Sequence, residues 1–124
     1  MQKRQPMITV YGLKTCDTCR KAMKWLAAEG VDARLHDLRA DGLDPKALDA
    51  WIAAHGWEAV LNRRGTTWRQ LPAAETASVD ALGARALMLA HPALIKRPVF
   101  DLGPHGTVIG FAPSQQQKIR SALS

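Results

Sequence analysis

The chain has 124 residues, 47% of them hydrophobic and 23% charged, with a formal net charge of +6. That length fits one domain with a substantial hydrophobic core, and no apolar stretch approaches the ~20 residues of a membrane span. The basic residues stand as separated pairs, Lys3-Arg4, Arg20-Lys21, Arg63-Arg64 and Lys96-Arg97, without a nucleic-acid-binding motif, so neither a membrane nor a nucleic acid is an expected partner.

The first six residues are polar and lack the apolar region of a secretory signal, which points to the cytoplasm; ordered structure is expected from Met7. Ile8 to Tyr11 predicts a strand ended by Gly12. Residues 16–29 predict an amphipathic helix with Ala22, Met23, Trp25 and Leu26 on its apolar side, closed by Gly30. Residues 32–38 alternate and predict a second strand, parallel to the first through a right-handed crossover. Asp44 is an expected N-cap, with Pro45 at the first helical position. That helix carries Leu48, Trp51 and Ile52 and stops at His55-Gly56.

Residues from Trp57 to about Leu71 predict irregular chain with short helical pieces. A helix over 80–90 follows, with Leu82, Leu87 and Met88 on its apolar side, and Pro92 closes it. Val99–Leu102 and Thr107–Phe111 flank Gly103-Pro104-His105-Gly106, a hairpin signal. Ser114 is the expected cap of a last helix carrying Ile119 and Leu123. The four tryptophans, at 25, 51, 57 and 68, are expected to pack.

The element order is β-α-β, a helical block, then β-β-α. It predicts an α/β thioredoxin-like fold with a helical insertion: one domain over 1–124, its core at about 7–44 and 95–124 and the insertion at about 45–94.

Cys16 and Cys19 are the only cysteines, and they lie where the first strand turns into the first helix. A disulfide between them would close too short a loop to stabilise much. Zinc needs more ligands, there is no second CxxC, and His36, His55, His91 and His105 are scattered, so no metal site is expected. Arg20 follows Cys19, which excludes the c-type haem signature. A thiol at a helix N-terminus meets unpaired N–H groups and the positive end of the helix dipole. Both favour the thiolate, which is the nucleophile. Cys16, nearest the helix start, is the expected nucleophile, with Cys19 one turn along. Lys14 and Arg20 add positive charge beside the pair, and Asp17 opposes it.

The stretches Ile8 to Arg20, Leu61 to Arg69 and Leu94 to Pro98 resemble the ArsC/Spx family, a thioredoxin-fold family with a helical insertion. Arg64-Gly65-Thr66-Thr67-Trp68-Arg69 and Ile109-Gly110-Phe111 most resemble its YffB-like branch. The resemblance implies that Cys16 attacks and that arginines hold an anionic substrate. The first arginine corresponds to Arg64, or to Arg63 under a one-residue shift, and the second to Arg97. Phe111 stands near the place of a third. The implied activity is glutathione-dependent thiol–disulfide reduction, with glutathione as co-substrate, no tightly bound cofactor, and either Cys19 or glutathione resolving the Cys16 adduct. Pro98 is expected to follow a cis bond and to face Cys16. Two alternatives stand beside this reading: an Spx-like redox-sensing regulator that binds an RNA polymerase subunit, and a true arsenate reductase.

Overall fold

The computed structural model describes residues 8–124; the expectations for residues 1–7 lie outside them. In chain order its elements are β1 (Ile8–Gly12), α1 (Asp17–Ala28), β2 (Ala33–Asp37), α2 (Pro45–His55), α3 (Trp57–Val60), α4 (Thr66–Arg69), α5 (Ala73–Thr76), α6 (Ala81–Ala90), β3 (Val99–Asp101), β4 (Thr107–Ile109) and α7 (Pro113–Leu123). The fold is α/β: β-α-β, then a helical block, then β-β-α in chain order. The chain forms two compact units, one from the residues up to Asp37 with Arg97–Ser124, the other Leu38–Lys96. Among the described residues, no helix is long and apolar enough to cross a membrane.

The first unit is built on a four-stranded sheet of order β2-β1-β3-β4. β1 runs parallel to β2 and antiparallel to β3, and β3 runs antiparallel to β4. The parallel pairing needs a crossover, which α1 supplies. Along β1 burial alternates: Ile8, Val10 and Gly12 are buried, Thr9 and Tyr11 half-buried. That period of two sends Ile8 and Val10 into a core shared with Ala22 and Leu26 of α1, Phe100 of β3 and Ile119 of α7. Full burial of each large side chain contributes about 1.5–3 kcal/mol before ordering costs.

In α1 the buried residues are Cys19, Ala22 and Leu26, spaced three and four apart along one face. The helix stops at Gly30, which takes φ 74°. Gly30 N–H bonds Ala27 O at 3.0 Å and Val31 N–H bonds Leu26 O at 2.9 Å, a glycine stop that satisfies the last carbonyls.

The second unit is helical. Asp44 caps α2 by accepting the Lys46 N–H at 2.9 Å. Asp80 caps α6 through the Gly83 N–H at 2.8 Å. Leu48, Trp51, Val60, Leu61, Leu87 and Met88 are buried. Arg85 grips Asp49 with two bonds, 2.6 and 3.2 Å, between α6 and α2. This unit spans more residues than the insertion expected at about 45–94.

Four local expectations are corrected. Cys16 is the N-cap of α1 and not its first residue. Leu82 is 80% exposed; Ala84, Leu87 and Met88 form the buried face of α6, and at 100° per residue Leu82 points the opposite way. α7 begins at Pro113, its N-cap is Ala112, and Gln115 Oε1 accepts the Ala112 N–H at 3.0 Å, so Ser114 is no cap. β3 and β4 are three residues each, shorter than expected, because Leu102 N–H turns to Gly106 O at 2.8 Å around a 3-10 turn.

Candidate active site

β1 ends at Gly12, and the chain turns through Leu13, Lys14 and Thr15 before α1. Cys16 N–H closes the turn on Leu13 O at 3.0 Å, and Cys16 O accepts the Arg20 N–H at 3.0 Å. Cys16 is half-buried and Cys19 buried, both as free thiols. Cys19 sits against the end of β1: a Cβ on Gly12 would fall 2.4 Å from Cys19 Sγ and 3.2 Å from its Cβ. Glycine is required there by close approach.

The two thiols titrate in opposite directions. Burial works against ionisation of Cys16. The backbone N–H and the thiol of Cys19 nevertheless donate to its sulfur, and Arg97 adds a hydrogen bond and a positive charge. The balance lowers the Cys16 pKa. Burial pushes the Cys19 thiol up to about 11; a hydrogen bond from the Leu13 backbone opposes it, the hydrogen bond to Cys16 and the Cys16 charge add to it, and Arg97 opposes it least. Cys16 ionises more readily than an ordinary thiol, and its neighbour keeps its proton and donates it to the Cys16 sulfur.

The sheet register explains why Arg97 is present. β1 and β3 pair Tyr11 with Val99. One residue beyond that pair stand Gly12 on one strand and Pro98 on the other, with Leu13 and Arg97 next. Pro98 is buried, and the Arg97–Pro98 bond is cis, as expected. The structure thus brings Cys16, Cys19, Arg97 and Pro98 together in one unit.

The remaining candidates lie as follows. Lys14 is exposed, and its backbone N–H donates to Asp37 Oδ2 at 2.9 Å. Arg20 pairs with Asp17, which holds the Asp17 carboxyl below the usual range. The acidic neighbour of Cys16 is therefore compensated. Arg63 and Arg64 belong to the helical unit. Arg63 lies 3.7 Å from Glu58 Oε2 and over the Trp57 ring, 5.6 Å from its centroid. Arg64 is exposed, and its N–H donates to Asn62 Oδ1 at 3.0 Å. Phe111 packs edge-on against Trp25, centroids 5.6 Å apart, and lies 6.1 Å from Phe100; it is an apolar packing residue.

Two residues at the site escape a reading by motif. Gly12 reads only as a strand end, since its partner Cys19 is set by the fold. Asp37 carried one usable signal. It shares the period-two face of Ala33 and Leu35, where a carboxylate is out of place.

The sequence matches the family model described as "ArsC family" over residues 11–119. A solved structure of a protein named YffB superposes with a TM-score of 0.86 at 45% identity, covering 95% of this chain and 100% of that one. An arsenate reductase (ArsC) related protein from Brucella melitensis superposes with a TM-score of 0.76 at 42% identity, covering 94% and 96%. A global transcriptional regulator Spx from Streptococcus pyogenes serotype M6 is 26% identical over 120 residues, 95% of this chain and 86% of that protein. With a match over nearly its whole length, the chain belongs to the ArsC family and resembles its YffB-like branch.

Proposed function

We propose that the protein is a glutathione-dependent thiol–disulfide reductase with Cys16 as nucleophile. One observation carries this reading: the Cys16 sulfur sits at the start of α1 with Cys19 and Arg97 as hydrogen-bond donors, so its pKa is lowered. A low-pKa, partly accessible thiolate is the reactive form of cysteine.

The reaction is two exchanges at sulfur. The Cys16 thiolate attacks a glutathione mixed disulfide; a Cys16–glutathione disulfide forms, and the substrate thiolate leaves. A second glutathione thiolate attacks that disulfide, oxidised glutathione leaves, and the Cys16 thiolate returns. The substrate sulfur is reduced and one free glutathione is oxidised; the second half of the oxidised glutathione comes from the mixed disulfide itself. Arg97 holds a glutathione carboxylate or the incoming sulfur's charge. The family resemblance implies a further anion-binding arginine at Arg64 or Arg63, of which Arg63 is engaged with Glu58 and Trp57. Cys19, pushed up to about 11 and buried, is a slow nucleophile at neutral pH, which favours glutathione as the resolving thiol. No bound cofactor enters the cycle, and the cytoplasm is the compartment whose glutathione would sustain it.

Arsenate is expected to be a poor substrate, because Phe111 adds no charge where a third arginine would stand. A second reading rests on the Spx relatives: a Cys16–Cys19 disulfide alters a surface that binds an RNA polymerase subunit. One assay compares the substrates, with Cys16→Ser and Cys19→Ser alongside. Turnover of glutathione mixed disulfides lost in Cys16→Ser and kept in Cys19→Ser supports the reductase. Efficient arsenate turnover, or no turnover of either with capture of purified RNA polymerase by the oxidised protein alone, overturns it.

A further inference from the structure

We propose that Asp37 is a positioning residue for the Cys16 thiolate, acting through the backbone of the loop that precedes α1. Asp37 is the one charged side chain buried among the described residues, at 6% exposure. It closes β2 directly beside Gly12 in the parallel register. Its Oδ2 accepts the Lys14 N–H at 2.9 Å.

A buried carboxylate is costly unless its hydrogen bonds return the cost. A residue needed only to end β2 would face water. Asp37 instead faces inward, and its acceptor reaches a loop that has just left the sheet. The loop is then tied at two points: the Lys14 N–H to Asp37, and the Cys16 N–H to Leu13 O at 3.0 Å. Between those points the chain has little freedom to move Cys16 relative to the first turn of α1. The Cys19 N–H reaches the Cys16 sulfur only while that relation holds. Without Asp37, the partly buried Lys14 N–H would seek water, the loop would loosen, and the donors around the thiolate would disperse.

The proposal rests on Cys16 being the reactive thiolate, but not on which disulfide it attacks. The experiment measures iodoacetamide alkylation of Cys16 against pH, read by peptide mass, together with hydrogen exchange of the Lys14 amide, in the full chain. Asp37→Ala should raise the alkylation midpoint by about one pH unit, a roughly tenfold loss of rate below both midpoints. It should also speed Lys14 exchange while the α1 amides stay protected. In Asp37→Asn the carboxamide oxygen still accepts, so both readouts should stay near those of the parent.

A folded Asp37→Ala with an unmoved midpoint overturns the proposal and leaves Asp37 a structural residue. So does a lowered midpoint, because the carboxylate field would then dominate. Should Asp37→Ala fail to unfold cooperatively, Asp37→Ser, whose hydroxyl is too short to reach Lys14, takes its place with the same outcomes. A parent midpoint already at the free-thiol value of ~8.5 removes the functional reading instead, and Lys14 exchange then decides whether Asp37 anchors the loop.

Discussion

Cys16 and Cys19 are the same residue type in one helical turn, and their surroundings divide the work. Cys16 has hydrogen-bond donors and a guanidinium around it, whereas Cys19 is buried against Gly12. Arg97→Ala should therefore raise the Cys16 alkylation midpoint by on the order of half to one pH unit. Arg97→Lys should restore part of it, since an ammonium returns the charge but not the planar fork. Alkylation kinetics against pH check this, and no shift in Arg97→Ala would leave Cys19 as the main donor. The two thiols also mark stability in opposite senses. The lowered Cys16 pKa contributes stability above the unfolded value of ~8.5 that is lost as pH falls through its folded pKa. The Cys19 pKa, raised to about 11, contributes stability present below ~8.5 and lost as pH rises towards that folded value. Urea midpoints of the parent should therefore fall between about pH 8.5 and 11, and Cys19→Ala should flatten that fall relative to the parent.

Among the elements, the end of β1 carries the tightest constraint. Gly12 has Cys19 Sγ where a Cβ would go, with Leu35 Cδ1 at 3.6 Å behind it. Gly12→Ala should cost about 1–3 kcal/mol by overpacking, measured by urea unfolding. It should also push Cys19 away from Cys16 and raise the Cys16 midpoint. Unchanged stability would mean that α1 shifts along the sheet at little cost. The helix ends are governed locally: Asp44, Asp80 and Gly30 each stand where a cap or stop residue is needed; Asp44 and Gly30 were legible as such, whereas Asp80 was read as the first residue of its helix and is its cap. α6 was less legible. Ten residues, nearly all apolar or small, give a helix no clear polar side, so the exposed Leu82 could not be told from the buried Leu87 before the neighbours of α6 were known.

Across the whole molecule, distant segments of chain build the site. The antiparallel pairing of β1 with β3 carries Arg97 to a cysteine near the N-terminus, and the parallel pairing of β1 with β2 brings Asp37 to Gly12. Phe111 belongs to the aromatic cluster beneath this sheet with Trp25 and Phe100. Phe111→Ala should cost about 2 kcal/mol, less than a fully buried phenylalanine, and should leave Cys16 alkylation unchanged; thermal unfolding and alkylation together test this. Periodicity, caps and the CxxC between a strand and a helix were enough to determine the element order and to single out Cys16 as the expected nucleophile, because those depend on residues close together in the chain; the family was legible from the likeness of three separate motifs. The tertiary structure alone decided that Cys19 is held protonated against Gly12, that Arg97 reaches the sulfur, and that Asp37 grips the loop. The first is set by how α1 packs on the end of β1, the other two by strand register, which joins residues far apart along the chain.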